Sequence, residues 1–245
     1  MYQKLKQLLK LLVPKRILLK YEDKFRSFYY QLYRGDKFQC NICNRNLSRF
    51  ILLENGEKIC PACGSLPRSR RLWSLLTTRF LKDGIRILDF SPSRSIYNIL
   101  KNNHKIHYTS SDYSGEFLSD EKYDITQLPI RNDTYDLILC YHILEHVEND
   151  LSAMNELFRV IKSGGCCLIQ TPFKAGDIYE DPAIVSSDDR LKFFGQSDHV
   201  RIYSVNGLKE RLSKANLLVE IMEFTEKPAN KYGFKEKEFV ILAYK

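Results

Sequence analysis

No apolar run in this chain reaches the length of about 18 residues that a membrane-spanning helix requires. The chain also lacks internal repeats and low-complexity tracts, while hydrophobic residues make up 44% of it. These features exclude integral membrane, fibrous and disordered classes of protein. The 245 residues suffice for one large domain, or for one domain with a small appendage.

A cleavable signal peptide is not predicted, because residues 1–16 carry lysines throughout their apolar stretch and end without a small-residue cleavage site. We therefore expect this segment to be retained and the protein to be cytoplasmic. Residues 1–33 are predicted to form a basic amphipathic helical segment, interrupted at Pro14. Such a segment either packs on the rest of the protein or contacts the inner membrane surface as a peripheral element.

Positive charge is concentrated at the front of the chain. Residues 1–82 hold 18 Lys and Arg against 5 Asp and Glu, whereas residues 83–245 hold 20 against 25. A basic front favours contact with nucleic acid, anionic lipid or a phosphorylated substrate, although it also serves as an ordinary solvated face. The mildly acidic body does not predict a nucleic-acid channel.

Four of the seven cysteines form two pairs with the spacing of a zinc ribbon. Two residues separate Cys40 from Cys43, two separate Cys60 from Cys63, and sixteen lie between the pairs. Such pairs on tight turns bring four thiolates to one tetrahedral Zn(II), which is structural because no coordination position stays open. A disulfide pair and an iron–sulfur cluster are the alternatives. The other cysteines lie in apolar runs and are predicted core residues: Cys140, Cys166 and Cys167.

Beyond Asp83, strand-like and helix-like segments alternate. This alternation predicts an α/β fold with a doubly wound, mostly parallel sheet that ends in an antiparallel strand. Asp150 and Ser204 are predicted helix caps, and Asn216 is predicted to close a helix in the left-handed conformation. Strands are predicted at 85–90, 107–112, 134–144, 166–171, 217–224 and 238–244, and helices at 67–81, 95–103, 150–161 and 204–216, with a turn at Gly164–Gly165.

Acidic residues follow three successive segments of this body, namely Asp89, Asp112 and Asp124. Ligands of doubly wound sheets bind beyond the carboxyl ends of the strands, where the strand order reverses. A carboxylate that ends the second strand can accept both hydroxyls of a ribose, which is the role predicted for Asp112. Asp124 is placed to reach the exocyclic amine of an adenine.

The segment DITQLPIRNDTYDLILCYHILEHVENDLSAMNELFRVIKSGGCCLIQTP (124–172) resembles class I S-adenosylmethionine-dependent methyltransferases of the type 11 kind. Ser163 replaces the proline that is usual before the glycine pair. Three further segments resemble a bacterial subgroup in which a cysteine module precedes the methyltransferase: CPACGSLPRSR (60–70), ILDFSPS (87–93) and YEDPAIVSSDDRLKFFGQSDHVRIYS (179–204). The resemblance extends over residues 40–245.

The resemblance implies a Rossmann-like sheet of seven strands, S-adenosylmethionine as cofactor, and three regions: the segment 1–33, a zinc-ribbon module with its connecting helix at 34–82, and a methyltransferase domain at 83–245. One departure from the wider family is the loop 90–94, which contains no glycine. Side chains there restrict close approach and positive φ. The implied cofactor-binding residues are Asp89, Phe90, Ser91, Asp112, Tyr113, Asp124, Ile125 and Tyr141.

A hydroxyl acceptor would need a base near the transferred methyl group, and the candidates are His142, Glu145, His146 and His199. Of these, His142 and His199 are the predicted bases, whereas Glu145 and His146 are predicted to stabilise the start of a helix. After the fourth strand there is no Asn/Asp-Pro-Pro-aromatic sequence and no Pro-Cys nucleophile, so methylation of nucleic-acid bases by those two routes is disfavoured. The favoured function is O-methylation of a small molecule or a glycan precursor. The alternatives are an RNA methyltransferase that uses the basic front, and a non-catalytic scaffold that has lost its cofactor.

Overall fold

The computed structural model describes residues 25–245, which divide into two compact units. The predicted amphipathic segment at 1–33 lies largely outside the described residues, of which 25–30 are helical. Within the described part of the chain, no helix is long and apolar enough to cross a membrane. Unit 1 comprises the described residues up to Phe80, with Arg94–Ile96 and Thr225–Glu236, and unit 2 comprises Leu81–Ser93, Tyr97–Phe224 and Lys237–Lys245.

Unit 1 is built from two antiparallel hairpins and a helix. Backbone hydrogen bonds from Cys40 to Arg45 and from Cys60 to Ser65 close tight turns at the two cysteine pairs. The predicted helix begins at Pro67, whose fixed φ suits the first turn. The elements are β1 (Phe38–Gln39) paired with β2 (Asn46–Leu47), β3 (Ile51–Leu52) paired with β4 (Lys58–Ile59), and α1 (Pro67–Leu75), which continues as a π-helical turn over Leu76–Phe80.

The side chain of Arg70 joins the distant segments of unit 1. Arg70 is completely buried, and its guanidinium stacks over the Phe50 ring at 4.3 Å. Residues 225–236 thereby become part of the cysteine-containing unit, a contribution that the sequence analysis did not foresee. Burial lowers the pKa of Arg70, although the neighbouring cysteines oppose the shift. The guanidinium donates to four backbone carbonyls at 2.6–2.8 Å, those of Lys58, Ser65, Tyr232 and Gly233.

Unit 2 contains a six-stranded sheet. Its strands are β5 (Arg86–Phe90), β6 (His107–Ser111), β7 (Tyr135–Tyr141), β8 (Ile161–Gln170), β11 (Leu218–Thr225) and β12 (Lys237–Tyr244). They lie in the order β11-β12-β8-β7-β5-β6. β5 pairs in parallel with β6 and β7, β7 pairs in parallel with β8, and β12 runs antiparallel to β8. The mostly parallel sheet and its antiparallel strand are therefore confirmed.

Helices and a small hairpin complete the described fold. The helices are α2 (Arg94–Lys101), α3 (Asp150–Val160), α4 (Ser187–Phe194) and α5 (Val205–Lys214). The hairpin pairs β9 (Tyr179–Glu180) with β10 (Arg201–Ile202) in antiparallel fashion. A 3-10 turn at Leu144–His146 follows β7.

The described sheet has six strands rather than the predicted seven. Beyond β6 the chain forms a single parallel bridge, between Ser111 and Glu121. Polar side chains then take the hydrogen bonds that a ladder would make, since Ser110 Oγ accepts from the Asp120 amide and Ser111 Oγ accepts from the Tyr123 amide. These side-chain contacts end the pairing at this edge.

The cap of α3 differs from the prediction. The side chain of Asn149 accepts a hydrogen bond from the Ser152 amide at 3.1 Å, so Asn149 is the N-cap and Asp150 is the next residue. Asp150 is buried, and it accepts hydrogen bonds from the Tyr203 hydroxyl and the Arg211 guanidinium. Asn and Asp cap helices equally well. Because the Asp150 carboxylate is bonded to Tyr203 and Arg211 instead, Asn149 takes the capping position.

The other helix-end predictions are confirmed, because Ser204 caps α5 and Asn216 has a φ of 63°. The turn predicted at Gly164–Gly165 is wrong. Gly164 lies inside β8 with a φ of 76°, where the register with β7 shifts. A positive φ within a strand is typical of a bulge, so the strand begins earlier, at Ile161.

The core of unit 2 lies between one face of the sheet and helices α3 and α5. Leu88 and Phe90 of β5 belong to this core, as does Ile125. Side chains alternate between the faces of a strand, so Asp89 points to the opposite face of the sheet. The three cysteines predicted as core residues are buried: Cys140, Cys166 and Cys167.

Candidate functional site

The four cysteines predicted as zinc ligands converge in unit 1. The Sγ atoms of Cys40 and Cys63 lie 3.6 Å apart, those of Cys43 and Cys60 lie 3.8 Å apart, and all four lie within 4.8 Å of one another. Sulfur atoms at about 2.3 Å from a tetrahedral zinc ion are separated by about 3.8 Å. All four thiols are free of disulfide bonds. The cluster therefore fits a structural zinc ion with no open coordination position.

The carboxyl ends of β5, β6 and β7 form one edge of the sheet in unit 2. Phe90 lies opposite Ser111 on one side and Cys140 on the other. Ser91 and Asp112, which follow the first two strands, therefore meet at this edge. The strand order reverses here, because β5 lies between β6 and β7. Such a reversal opens the crevice in which doubly wound sheets bind ligands.

The carboxylate of Asp112 is buried at this edge and accepts three hydrogen bonds. The donors are Ser91 Oγ at 2.7 Å, Ser114 Oγ at 3.0 Å and the Phe117 amide at 3.1 Å. Burial alone would raise the pKa of Asp112, but these donors hold it below its usual value. Asp112 is consequently ionised at neutral pH. Because both serine hydroxyls can rotate away, the carboxylate can accept from a ligand's hydroxyls as well.

The loop after β5 turns sharply although it has no glycine. Ser91 adopts a φ of 46°, in the left-handed region that serine rarely enters. Its amide donates to the Ser111 carbonyl at 2.7 Å, and its hydroxyl binds Asp112. These two hydrogen bonds offset the strain of the positive φ. A side chain at this position was expected to disfavour a positive φ, and the two hydrogen bonds of Ser91 stabilise that conformation.

Asp89 lies away from this group of residues. Its carboxyl is 3% exposed and accepts a hydrogen bond from the Tyr108 hydroxyl at 3.0 Å. Burial raises the pKa of Asp89 to about 8, and the Tyr108 bond only partly opposes that shift. The side chain is therefore neutral at pH 7 and forms part of the face of the sheet opposite the core.

We expect Asp89→Asn to flatten the pH dependence of stability between about pH 5 and about pH 8. Folding raises the Asp89 pKa from 3.8 to about 8, so the folded protein holds an extra proton in this window. The wild type therefore loses stability progressively as the pH rises from about 5 to about 8, by about 1.4 kcal/mol per pH unit and about 4 kcal/mol over this window. Urea unfolding across this range measures the slope.

The exposed Asp177→Asn variant is the control, and it should keep the wild-type slope. Equal slopes for Asp89→Asn and the wild type would show that Asp89 is ionised in the folded protein.

The remaining residues predicted to bind the cofactor fall into two groups. Phe90 and Ile125 have their side chains in the hydrophobic core, so only their backbone reaches the edge. Tyr113 and Asp124 are exposed, and Tyr141 ends β7. One oxygen of Asp124 accepts from the amide and the hydroxyl of Thr126, which leaves the other oxygen available to a ligand.

The two predicted bases lie in one cluster at the end of β7. His142 has a φ of 57°, and its Nδ1 lies 3.2 Å from Glu145 Oε1. The His199 ring meets the His146 ring edge-on, with centroids 4.7 Å apart. Burial lowers the pKa of His199, which keeps its imidazole neutral near pH 7.

Glu145 and His146 complete this cluster, although the sequence favoured them as stabilisers of a helix start rather than as bases. Both belong to the segment LEHV, whose 3-10 turn positions them after β7. Arg201 fixes this turn by donating to the carbonyls of Leu144 and Val147. All three residues are candidates in the sequence, but their spacing along the chain does not predict that His199 lies against Glu145 and His146.

A protein-family model described as "Methyltransferase domain" matches residues 67–220, which include the whole edge formed by β5, β6 and β7. The chain belongs to this methyltransferase family. A curated relative, an uncharacterized protein of Methanocaldococcus jannaschii, is 33% identical over 86 residues. That match covers 35% of this chain and 36% of the relative.

Solved structures confirm the fold of this family member. An S-adenosylmethionine-dependent methyltransferase of Archaeoglobus fulgidus is 16% identical, with a TM-score of 0.51 over 73% of this chain and 91% of that one. The [4+2]-cyclase SpnF is 17% identical, with the same TM-score of 0.51 over 71% of this chain and 80% of that one. A fold shared with a cyclase does not by itself specify methyl transfer.

Proposed function

We propose that this protein is an S-adenosylmethionine-dependent methyltransferase that methylates a hydroxyl oxygen of a small molecule or a glycan precursor. The observation that carries the proposal is the ionised Asp112 carboxylate, held at the strand-order reversal of a methyltransferase-family domain. A buried carboxylate at this position suits the paired hydroxyls of a ribose. When bound, the cofactor supplies a methyl group on a sulfonium sulfur, ready for in-line displacement.

Around Asp112, we assign the cofactor contacts according to where each side chain lies. Tyr113 lies next to Asp112 and offers an exposed aromatic face to the adenine, while Asp124 offers its free oxygen to the adenine amine. Ser91 contributes its hydroxyl, and Tyr141 closes the edge at the end of β7. Phe90 and Ile125 contribute backbone groups. Asp89 supports β5 from the opposite face, because its carboxyl is bonded to Tyr108.

Two histidines supply the acid–base chemistry that a hydroxyl acceptor requires. The Nε2 atom of His142 has no hydrogen-bond partner among the described residues, and neither has that of His199. The His142 side chain is 22% exposed and His199 is 3% exposed, while the Nε2 atoms of both are buried. We assign the acceptor's proton to His142 Nε2, with Glu145 stabilising the imidazolium that forms. Loss of this proton would leave the acceptor oxygen as a nucleophile toward the methyl group that a bound cofactor would supply.

An RNA acceptor is the alternative that the basic front suggested. The arginines of α1, however, are engaged within unit 1: Arg68 pairs with Glu57 at 3.3 Å and Arg71 pairs with Glu226 at 2.6 Å. Arg70 is buried. These three charges are therefore not available to phosphates. If RNA were the acceptor, the affinity of the protein for RNA would fall steeply as the salt concentration rises.

We expect Asp112→Asn to weaken the binding of S-adenosylhomocysteine by about 10-fold to 100-fold, the worth of hydrogen bonds to a charged group. Isothermal titration calorimetry of zinc-loaded protein measures the loss. Because the Asp112 pKa lies below its usual value, wild-type affinity should stay constant between about pH 6 and about pH 8. The Glu116→Gln variant, which removes an exposed charge from the same loop, is the matched control. Equal affinities of Asp112→Asn and the wild type would contradict the assignment.

A further inference from the structure

Unit 2 contains a group of metal-binding side chains separate from the four cysteines. Glu145, His146 and His199 each place a ligand atom within 4.8 Å of the other two. We propose that these three residues bind a zinc-type divalent cation with one open coordination position. The inference concerns the cation alone and holds whether or not the protein transfers methyl groups.

Two of the three side chains are buried with fewer polar partners than their atoms can take. Glu145 is 1% exposed and His199 is 3% exposed. His142 Nδ1 lies 3.2 Å from Glu145 Oε1, but Glu145 Oε2 and His199 Nε2 have no hydrogen-bond partner among the described residues. Leaving a buried polar group unsatisfied costs about 1–3 kcal/mol, and more for a charged one. A cation between Glu145 Oε2 and His199 Nε2 would satisfy both atoms.

Neighbouring side chains orient the ligands as metal sites require. Asp198 Oδ2 lies 3.2 Å from His146 Nδ1, which leaves Nε2 of that ring available to a metal. His142 Nδ1 lies 3.2 Å from Glu145 Oε1. A carboxylate behind a ligating histidine is the usual arrangement in zinc sites, because it fixes the ring and raises its basicity.

The backbone holds the three ligands in place before any cation binds. Val200 donates its amide to the Glu145 carbonyl at 2.9 Å, which ties the 3-10 turn to the segment that carries His199. The guanidinium of Arg201 donates to the Val147 and Glu148 carbonyls on the same turn. The two ligand-bearing segments therefore cannot separate without breaking these bonds.

The donor set defines the type of cation. Two imidazoles and one carboxylate suit zinc and similar borderline cations, and three protein ligands leave a fourth position open for an oxygen donor. Ligands at about 2.1 Å from a tetrahedral ion are separated by about 3.4 Å, so small side-chain rotations close the present group onto one. A bound cation would occupy the lone pair of His199 and leave His142 as the base.

The zinc content of untagged wild-type protein, measured by mass spectrometry after dialysis against micromolar free zinc, tests the proposal. We expect two equivalents per chain for the wild type, and one each for Glu145→Gln and His199→Ala. Asp198→Asn should weaken binding at this site by about 10-fold. Glu148→Gln changes an adjacent side chain that is 80% exposed, and this control should retain both equivalents.

Cobalt(II) substitution separates the two sites, because only a thiolate site gives an intense sulfur-to-metal charge-transfer band. We expect the first equivalent of cobalt to produce that band and the second equivalent to add only weak d–d absorption. Glu145→Gln should abolish the second contribution. Titration of S-adenosylhomocysteine into the same variant reports the cofactor site separately. One equivalent in the wild type, with the charge-transfer band complete, would overturn the proposal. So would a second equivalent that survives both Glu145→Gln and His199→Ala.

Discussion

Cys60→Ser is expected to prevent the four-cysteine cluster from binding zinc and to unfold unit 1. A serine hydroxyl is not ionised at neutral pH and does not replace a thiolate ligand of zinc. Zinc contributes about 10–16 kcal/mol to the folding of small zinc modules, so loss of one ligand removes most of what holds two-residue strands together. The hairpins of unit 1 are too short to be stable alone, since each strand has only two residues.

The single tryptophan provides the measurement, because Trp73 lies on α1 within unit 1. Its fluorescence should report an unfolding transition for Cys60→Ser far below that of the wild type, together with loss of the cobalt charge-transfer band. Cys166→Ala, which alters a buried cysteine of the sheet, should keep the band. A Cys60→Ser protein with the band and the wild-type transition would rule out a four-thiolate site.

Replacing Arg70 by Met should destabilise unit 1 by about 4 kcal/mol. The substitution removes the Arg70 donor from four backbone carbonyls, of which that of Ser65 keeps a bond from the Cys60 amide. An unsatisfied buried group costs about 1–3 kcal/mol. Arg70→Lys should recover part of this loss only, because one ammonium group cannot span the positions that a planar guanidinium reaches. Zinc affinity should fall in parallel, since the Arg70 contacts hold both flanks of the second cysteine pair.

Arg68→Met is the matched control on the same helix. The Arg68 side chain is 30% exposed and pairs with Glu57 at 3.3 Å, and such pairs contribute less than about 1 kcal/mol. Urea unfolding followed by Trp73 fluorescence compares the variants. Similar unfolding midpoints for Arg70→Met and Arg68→Met would show that residues 225–236 are not held through Arg70.

Local signals predicted much of this architecture. Apolar runs located the strands of the main sheet, the cysteine spacing located the four-cysteine cluster, and Ser204 and Asn216 marked the ends of α5 correctly. Each of these features depends on residues close together in the chain. The predictions failed where two local readings were equivalent: Asn149 and Asp150 are both good caps, and only the Tyr203 and Arg211 contacts separate them.

The rest depends on contacts between distant segments. The segment 225–236 carries no motif, and its place in unit 1 follows from carbonyls that bind Arg70 some 160 residues earlier (separations of 162 and 163). Glu145 and His199 likewise meet only because Val200 pairs with the turn after β7. Side-chain hydrogen bonds at Ser110 and Ser111 end the strand pairing after six strands. Hydrophobic periodicity carries no information about such polar contacts.

Isothermal titration of S-adenosylhomocysteine into zinc-loaded wild-type protein tests the proposed function most directly. A buried, ionised Asp112 beside Ser91 predicts one binding site per chain with micromolar affinity. Such binding would justify screening hydroxyl acceptors before RNA. No heat of binding at millimolar ligand, with the protein folded and the cysteine site loaded, would contradict the account and leave the non-catalytic scaffold as the better explanation.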